Sequence, residues 1–181
     1  MISFKSKITK ILLSYFFLNE DIKMYVNNMA EKFNLDKRNL VKKLKELEKE
    51  GILKTERLGN LKFYTLNKDF SLYSEFRSII LKTTGIQQII KDKLIRFKNI
   101  EHVFIFGSYA RDNFDALSDI DILIVGEADT IQINRLFSKL QKEYDREFNV
   151  INMSIDEFKK KKKQRNSFIN NILNKKHIKL I

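Results

Sequence analysis

GSYARDNFDALSDIDILIVG, running from Gly107 to Gly126, is the stretch on which the fold turns. An apolar run, Val103 to Phe106, leads into it, and a second, Ile120 to Val125, ends it. The pattern predicts strand, turn, short helix, loop and strand. Residues i and i+2 of a strand share a face, so Asp119 and Asp121 point one way and Ile120, Ile122 and Ile124 the other. Two carboxylates held side by side repel unless a cation lies between them. Oxygen ligands at this spacing suit Mg²⁺, which keeps several waters and binds substrate phosphates through one or two carboxylates. Gly107 lets a backbone approach a ligand closely. Ser108 supplies a hydroxyl where a helix begins, and helix starts attract anions. A phosphate cradle beside a metal-binding acid pair predicts phosphoryl or nucleotidyl transfer.

The rest of the composition narrows the setting. A chain of 181 residues has room for one domain or two small ones. Its net charge of +12 favours anionic partners such as nucleic acid, although AT-rich coding also enriches lysine. There is no cysteine, which excludes disulfides and thiolate zinc sites and suits a reducing compartment. His102 and His177 lie far apart and are expected to be structural or surface residues. No apolar run reaches the ~18 residues of a membrane span, and the first residues lack the apolar core of a signal peptide. A soluble, cytoplasmic protein without a membrane partner is expected.

Residues 1–69 read as helices and a hairpin. Ser6 to Phe17 carries Ile8, Ile11, Leu12 and Tyr15 at helical spacing. A short strand, Lys23 to Tyr25, and a second helix, Val26 to Phe33, follow. Asp36 is a good N-cap for a third helix, Lys37 to Glu50, which stops at Gly51. On that helix Leu40, Leu44 and Leu47 share one face, while Arg38, Lys42, Lys45 and Lys49 form a stripe opposite. Ile52 to Thr55 and Lys62 to Leu66 read as strands joined by residues 56–61, with Gly59-Asn60 as the turn signal. Three helices followed by a hairpin make a winged helix-turn-helix. Its third helix would offer Arg38, Asn39 and Lys42 to base edges of duplex DNA, with Lys45 and Lys49 along the same stripe. Arg57, Asn60 and Lys62 would sit on the wing, near phosphates or a minor groove. The plainer alternatives are a solvated helix face, or a module for protein–protein contact. The passage Leu47-Glu-Lys-Glu-Gly-Ile-Leu53 followed by Arg57-Leu-Gly-Asn60 resembles the helix-to-wing region of ArsR-like regulators.

Residues 70–98 predict two helices, Leu72 to Lys82 and Ile86 to Phe97, broken at Thr83-Thr84-Gly85. Tyr73, Phe76, Ile79, Ile80 and Leu81 are too apolar for a free linker, so a packing or dimerising connector and a homodimer are expected. In residues 99–181, Ile131 to Tyr144 reads as an amphipathic helix on Ile131, Ile133, Leu136, Phe137 and Leu140. Glu147 to Met153 reads as a strand parallel to the one before it. Lys159 to Lys163 and Arg165 form a charge run in a helix starting near Ser154, either a solvated face or a guide for nucleic acid. Phe168, Ile169 and Ile172 predict a closing helix, and Ile178, Leu180 and Ile181 an edge strand.

Gly107-Ser108, ten residues, then Asp119-x-Asp121 between two apolar strands resembles the signature of the minimal nucleotidyltransferases of the DNA polymerase-β superfamily. The whole chain is similar to prokaryotic proteins that fuse a winged helix to that domain. The resemblance implies an α+β protein of two domains: a winged helix-turn-helix and a mixed α/β nucleotidyltransferase domain. It implies an NTP substrate, two Mg²⁺ ions on Asp119 and Asp121, phosphate contacts from Gly107, Ser108 and Arg111, and pyrophosphate as leaving group. It also implies a third carboxylate on the strand that here reads Arg146-Glu147-Phe148-Asn149-Val150. The matching position is Asn149, an amide that can ligate a metal but cannot act as a base, and Glu147 is the alternative third acid on the same strand face. Asp112 stands where the family usually has glycine. These departures keep a second expectation open: a DNA-binding transcriptional regulator whose second domain is degenerate and senses nucleotide or binds a partner. Minimal nucleotidyltransferases also often belong to toxin–antitoxin systems, which is family habit and not a property of these residues.

Overall fold

A computed structural model describes residues 5–111, 114, 118–164 and 168–181. Asp112 and Arg165, noted in the sequence, lie outside the described residues. The chain divides into two compact units, Met1–Gln88 and Ile89–Ile181. Among the described residues, no helix is long and apolar enough to cross a membrane.

The first unit is built around α1 (Lys7–Leu18), whose N-cap Ser6 accepts from the Thr9 amide at 3.3 Å. Leu12, Leu13, Tyr15, Phe16, Phe17 and Leu18 are at most 1% exposed. A helix apolar on nearly every side in its second half must lie inside its unit. The next elements are β1 (Met24–Tyr25), α2 (Val26–Lys32) and α3 (Lys37–Lys49). Asp36 caps α3 as expected, its carboxylate accepting from Asn39 N at 2.9 Å. Leu40, Leu44 and Leu47 are buried, which fixes the inward face of that helix. Strands β2 (Leu53–Leu58) and β3 (Leu61–Leu66) form an antiparallel hairpin, and β1 pairs with the other edge of β3. The hairpin is tighter than its sequence suggested. Glu56, Arg57 and Leu58 continue the ladder, and only Gly59 and Asn60 turn, with Gly59 at φ +58°. Helix α4 (Tyr73–Thr83) packs on α1, and Ser14 Oγ donates to the Thr84 carbonyl at 2.7 Å.

The division between the units falls within α5 (Ile86–Leu94). That helix stops three residues short of the expected end. The amide of Ile95 still reaches back to Lys91 O, but Phe97 N bonds Leu94 O, a tighter turn that ends the α-helical ladder.

The second unit carries a four-stranded sheet in the order β6-β5-β4-β7, from β4 (Ile100–Phe106), β5 (Ile120–Gly126), β6 (Phe148–Met153) and β7 (Ile178–Lys179). Helix α6 (Gly107–Ala110) is a single turn after β4, and α7 (Thr130–Tyr144) connects β5 to β6. β5 and β6 run parallel, as a strand–helix–strand connection requires, while β4 is antiparallel to both β5 and β7. Helices α8 (Ile155–Lys163) and α9 (Phe168–Asn174) complete the unit. One sheet face packs Phe104, Leu123, Val125 and Met153 against Phe158 of α8 and Ile169 and Ile172 of α9. α7 takes the other face, where its Phe137 ring lies 5.5 Å from that of Phe148, which pairs with Ile120. The inward residues of α7 are Ile133, Phe137, Leu140 and Tyr144. Ile131, expected among them, is 63% exposed, because it stands two residues from Ile133 and so about 200° around the helix.

Candidate active site

The site forms where three strands are level. In the antiparallel pair Phe106 stands opposite Asp121, and in the parallel pair Asp121 stands beside Asn149. Asp121 shares a face with Leu123 and Val125, so it points to the side covered by α8 and α9. Asp119 lies one residue before β5 and reaches the same place. Asn149 Nδ2 donates to Asp119 Oδ2 at 3.1 Å and to Asp121 Oδ1 at 3.3 Å, so both carboxylates converge on one amide. Among the described residues neither aspartate is in an ion pair.

Gly107 is the residue that this convergence requires. Its φ is +73°, in the left-handed region that glycine tolerates and other residues rarely adopt. A Cβ there would overlap Asp121 Oδ2 and stand 3.1 Å from Asp121 Cγ. The absence of a side chain is thus what lets a carboxylate pack against the turn after β4. Ser108 is half-buried in α6, and Arg111 is exposed just beyond it, its amide donating to Ser108 O at 3.2 Å. α6 has four residues, so its dipole is small, and any hold on an anion must come from the turn's amides and these side chains.

A cavity of about 140 Å³ opens beside Gly107. Phe106, Phe168 and Ile172 supply its apolar lining, and Arg111, Asn171 and Lys175 its polar groups. The Phe106 and Phe168 rings meet edge to face at 5.7 Å. Lys175 and Asn171 were not foreseen as site residues. Their i, i+4 spacing around α9 was visible, but nothing in sequence brought them to Gly107.

Arg146 was also passed over. It is only 4% exposed, and its Nη1 donates to Ser118 O at 3.0 Å, one residue before Asp119. Its guanidinium lies 5.8 Å from the Phe114 ring. A buried cation is retained only when bonded, so Arg146 anchors the segment that carries Asp119. The Ile120 amide adds a bond to Glu147 O at 3.0 Å.

Glu147, the alternative third acid, is not level with the aspartate pair. Its side chain is exposed, its residue precedes β6, and no group of three His, Cys, Asp or Glu side chains that could hold a metal occurs among the described residues. Register places Asn149, not Glu147, level with Asp121. The donor set is therefore two carboxylates and one amide, all able to offer oxygen. That set fits a hard divalent cation that keeps some of its waters.

In the first unit, Arg38, Asn39, Lys42, Lys45 and Lys49 are all exposed on α3, and Arg57 and Asn60 are exposed on the hairpin. Lys62 lies on the hairpin, as expected, and is also engaged within the unit. Its Nζ lies 2.8 Å from Glu48 Oε2, the same carboxylate accepts from Thr55 Oγ1, and Nζ sits 5.2 Å from the Tyr64 ring. The bond to Lys62 holds the Glu48 carboxyl below its usual range, and Glu48 raises the Lys62 ammonium in turn. The charge of Lys62 is engaged in joining α3 to the hairpin.

Two Methanocaldococcus jannaschii proteins named as candidate protein adenylyltransferases are similar to this chain. One is 44% identical over 62 residues, which cover 34% of this chain and 62% of that protein, less than two thirds of its length. The other is 36% identical over 90 residues, covering 49% of this chain and 82% of that protein. A crystal structure of the toxin–antitoxin pair MntA–HpeT aligns over 53% of this chain and 73% of the compared one, at 17% identity and a TM-score of 0.39. The family profile described as a nucleotidyltransferase domain matches residues 86–178, more than half of the sequence. That segment holds the Gly107 turn, both aspartates and the asparagine between them, and the chain belongs to the nucleotidyltransferase domain family.

Proposed function

We infer that the second unit moves an adenylyl group from ATP to a side-chain hydroxyl of a protein, with Mg²⁺ at the aspartate pair. The observation that carries this is the convergence of Asp119 and Asp121 on one point beside the Gly107 turn. The adenylyl group and the protein acceptor are taken from the names of the two archaeal relatives. Asp119, Asp121 and, through its amide oxygen, Asn149 would hold the cation. Once bound, it would neutralise phosphate charge and polarise the phosphorus that is attacked. Gly107 keeps the turn free of a side chain, so backbone amides can approach phosphate oxygens. Ser108 offers a hydroxyl, and Arg111 and Lys175 place two positive charges at the cavity, where the triphosphate would lie. In the reaction the acceptor oxygen bonds the α-phosphorus, and the bond from that phosphorus to the α,β-bridging oxygen breaks. Pyrophosphate leaves with the electron pair, and the hydroxyl proton passes to a carboxylate or to water.

Two assays test it. Calorimetry should find ATP binding that needs Mg²⁺, and α-labelled ATP should label a protein acceptor. Asp119→Ala and Asp121→Ala should each abolish both signals. ATP binding that ignores Mg²⁺ and both substitutions would end this reading.

A second reading is favoured by Asn149 and by the first unit. An amide in place of an acid suits a domain that binds nucleotide and transfers nothing, paired with a DNA-binding module. Three helices followed by a hairpin, with an exposed basic stripe at Arg38, Lys42, Lys45 and Lys49, support a winged helix-turn-helix on duplex DNA. A homodimer is part of that proposal. A gel shift at moderate salt tests it: Arg38→Ala with Lys42→Ala should weaken duplex binding, and unchanged binding would remove α3 as the reading helix.

A further inference from the structure

A second concavity among the described residues of this unit does not belong to the aspartate site. An open depression of about 340 Å³ lies between the segment that ends α5 and the outer side of α7. Lys93, Arg96, Arg135 and Lys139 line it, with Phe97 and Leu136 as its apolar surface. α7 covers the sheet face opposite to the one that carries the aspartates, so an occupant here would not touch the reacting atoms.

The geometry is that of two facing stripes. On α7, Arg135, Leu136 and Lys139 are spaced by one, three and four residues and share one side. That side is not the one on which Ile133, Phe137 and Leu140 are buried. Across from it, Lys93, Arg96 and Phe97 stand at i, i+3 and i+4. Gln132 closes one end and is held there, its Nε2 donating to Asp129 Oδ2 at 3.0 Å. Among the described residues none of the four cations is in a close ion pair, and Asp129 at the Gln132 end offsets part of the charge of Arg135. Four like charges gathered in one concavity raise the energy of the empty protein, and an anion relieves it.

The kind of anion follows from the rest of the lining. Two guanidinium groups offer forked donors that match phosphate oxygens. A free inorganic anion has no use for Phe97 and Leu136, and the carboxylates of an acidic peptide match guanidinium forks but leave Phe97 unused unless an aromatic residue happens to fall beside it. A duplex keeps its bases stacked inside. A single strand brings both parts together, with phosphates for a basic groove and bases free to stack on an aromatic side chain. We propose that this cleft binds a segment of single-stranded nucleic acid, with phosphates on Lys93, Arg96, Arg135 and Lys139 and a base against Phe97.

Fluorescence anisotropy on the full chain tests the assignment, with a labelled single-stranded RNA, its duplex, and polyglutamate as competitor. Each phosphate contact to a single strand adds about 0.7 to the slope of log K against log salt. Arg135→Gln with Lys139→Gln removes two cleft cations and leaves the α3 stripe intact, so the slope should become shallower by about 1.4. Between about 50 and 200 mM salt, that double variant should lose roughly sevenfold less affinity than the parent chain does. Phe97→Leu should weaken single-strand binding by at least about fivefold, the lower range of a lost base stack, without changing the salt slope. Arg135 and Lys139 are exposed and Phe97 is half-buried, and circular dichroism checks that the variants fold. An unchanged slope in the double variant overturns the proposal. So does a duplex that binds as tightly and loses as much in that variant, or polyglutamate that displaces the RNA at equal charge concentration.

Discussion

Asn149→Asp separates the geometry of the aspartate site from any assumption about its chemistry. In the protein as it stands, one amide nitrogen donates to Asp119 at 3.1 Å and to Asp121 at 3.3 Å. The substitution removes both bonds and puts a third negative charge in their place. At about 4 Å two unit charges repel by about 1 kcal/mol in water and about 4 kcal/mol at an effective dielectric of 20. Asn149 is exposed and both aspartates are half-buried, so the lower figure applies, and two new repulsions cost roughly 2 kcal/mol. Loss of two hydrogen bonds to charged groups at a wet site adds about 1–2 kcal/mol. Without metal, the variant should therefore be about 3 kcal/mol less stable, a fall of roughly 10 °C in Tm. With metal the sign reverses, because three carboxylates bind a divalent cation better than two and an amide. Magnesium at about a hundred times its Kd returns about 2.7 kcal/mol, which would erase most of the deficit. The assay is a thermal melt of parent and variant in EDTA and in excess magnesium chloride. Magnesium should raise the variant's Tm by several degrees more than the parent's. A variant as stable as the parent in EDTA, or one that magnesium does not rescue, would show that the three side chains do not meet.

Three further outcomes are expected. Gly107→Ala forces a Cβ into Asp121 at a backbone φ of +73°, so the carboxylate must move, and an approximately 1 Å displacement should weaken magnesium-dependent transfer by about 100-fold in a label-transfer assay. Arg146→Met leaves Ser118 O without its buried donor and should cost about 2–3 kcal/mol in urea denaturation, while magnesium-dependent ATP binding weakens because Asp119 loses its anchor. Glu48→Gln should cost up to about 1 kcal/mol near neutral pH, the upper range for a largely exposed pair, because Lys62 and Thr55 share that carboxylate. The folded Glu48 carboxyl lies below its usual range, so its contribution is present above the unfolded carboxylate pKa and fades as pH falls through the folded one. Urea melts of the parent and Glu48→Gln should accordingly converge in acid, and a constant gap would refute the pairing.

How far the chain could be read without coordinates depended on whether a feature is local. Asp36 as a cap, Leu40, Leu44 and Leu47 as an inward face, and Gly59-Asn60 as a turn are decided within a few residues, and each stands where it was expected. The shared face of Asp119 and Asp121 follows from strand periodicity in the same way. What pattern could not supply was register between strands. Glu147 and Asn149 lie on the same face of one strand segment, and only the pairing of Asp121 with Asn149 chooses between them. Burial of Arg146 was hidden for the same reason, since its partners Ser118 and Phe114 are about thirty residues away. Lys62 looked like a free wing cation because Glu48, fourteen residues earlier, belongs to another element. Ile131 misled through composition, as it begins an amphipathic helix whose phase is set by Ile133 and Phe137.

If the proposed function holds, the asparagine also bears on how metal and nucleotide would arrive. Two carboxylates balance the charge of a single divalent cation, whereas a site with three acids carries enough charge to draw in a second one. To ligate through oxygen, the Asn149 amide must turn over, which breaks both bonds to the aspartates. Metal entry would therefore be opposed by about two hydrogen bonds, roughly 1–2 kcal/mol at an exposed site, or about a tenfold weaker affinity. A nucleotide's phosphates can offset that loss by adding their own oxygens around the same cation. On the proposed reading, binding of the two ligands would thus be coupled, each strengthening the other by the same factor. Magnesium alone should bind weakly, ATP alone should bind weakly, and each should tighten sharply in the presence of the other. In Asn149→Ala nothing has to be broken, so magnesium alone should bind no worse than in the parent and the mutual tightening should shrink.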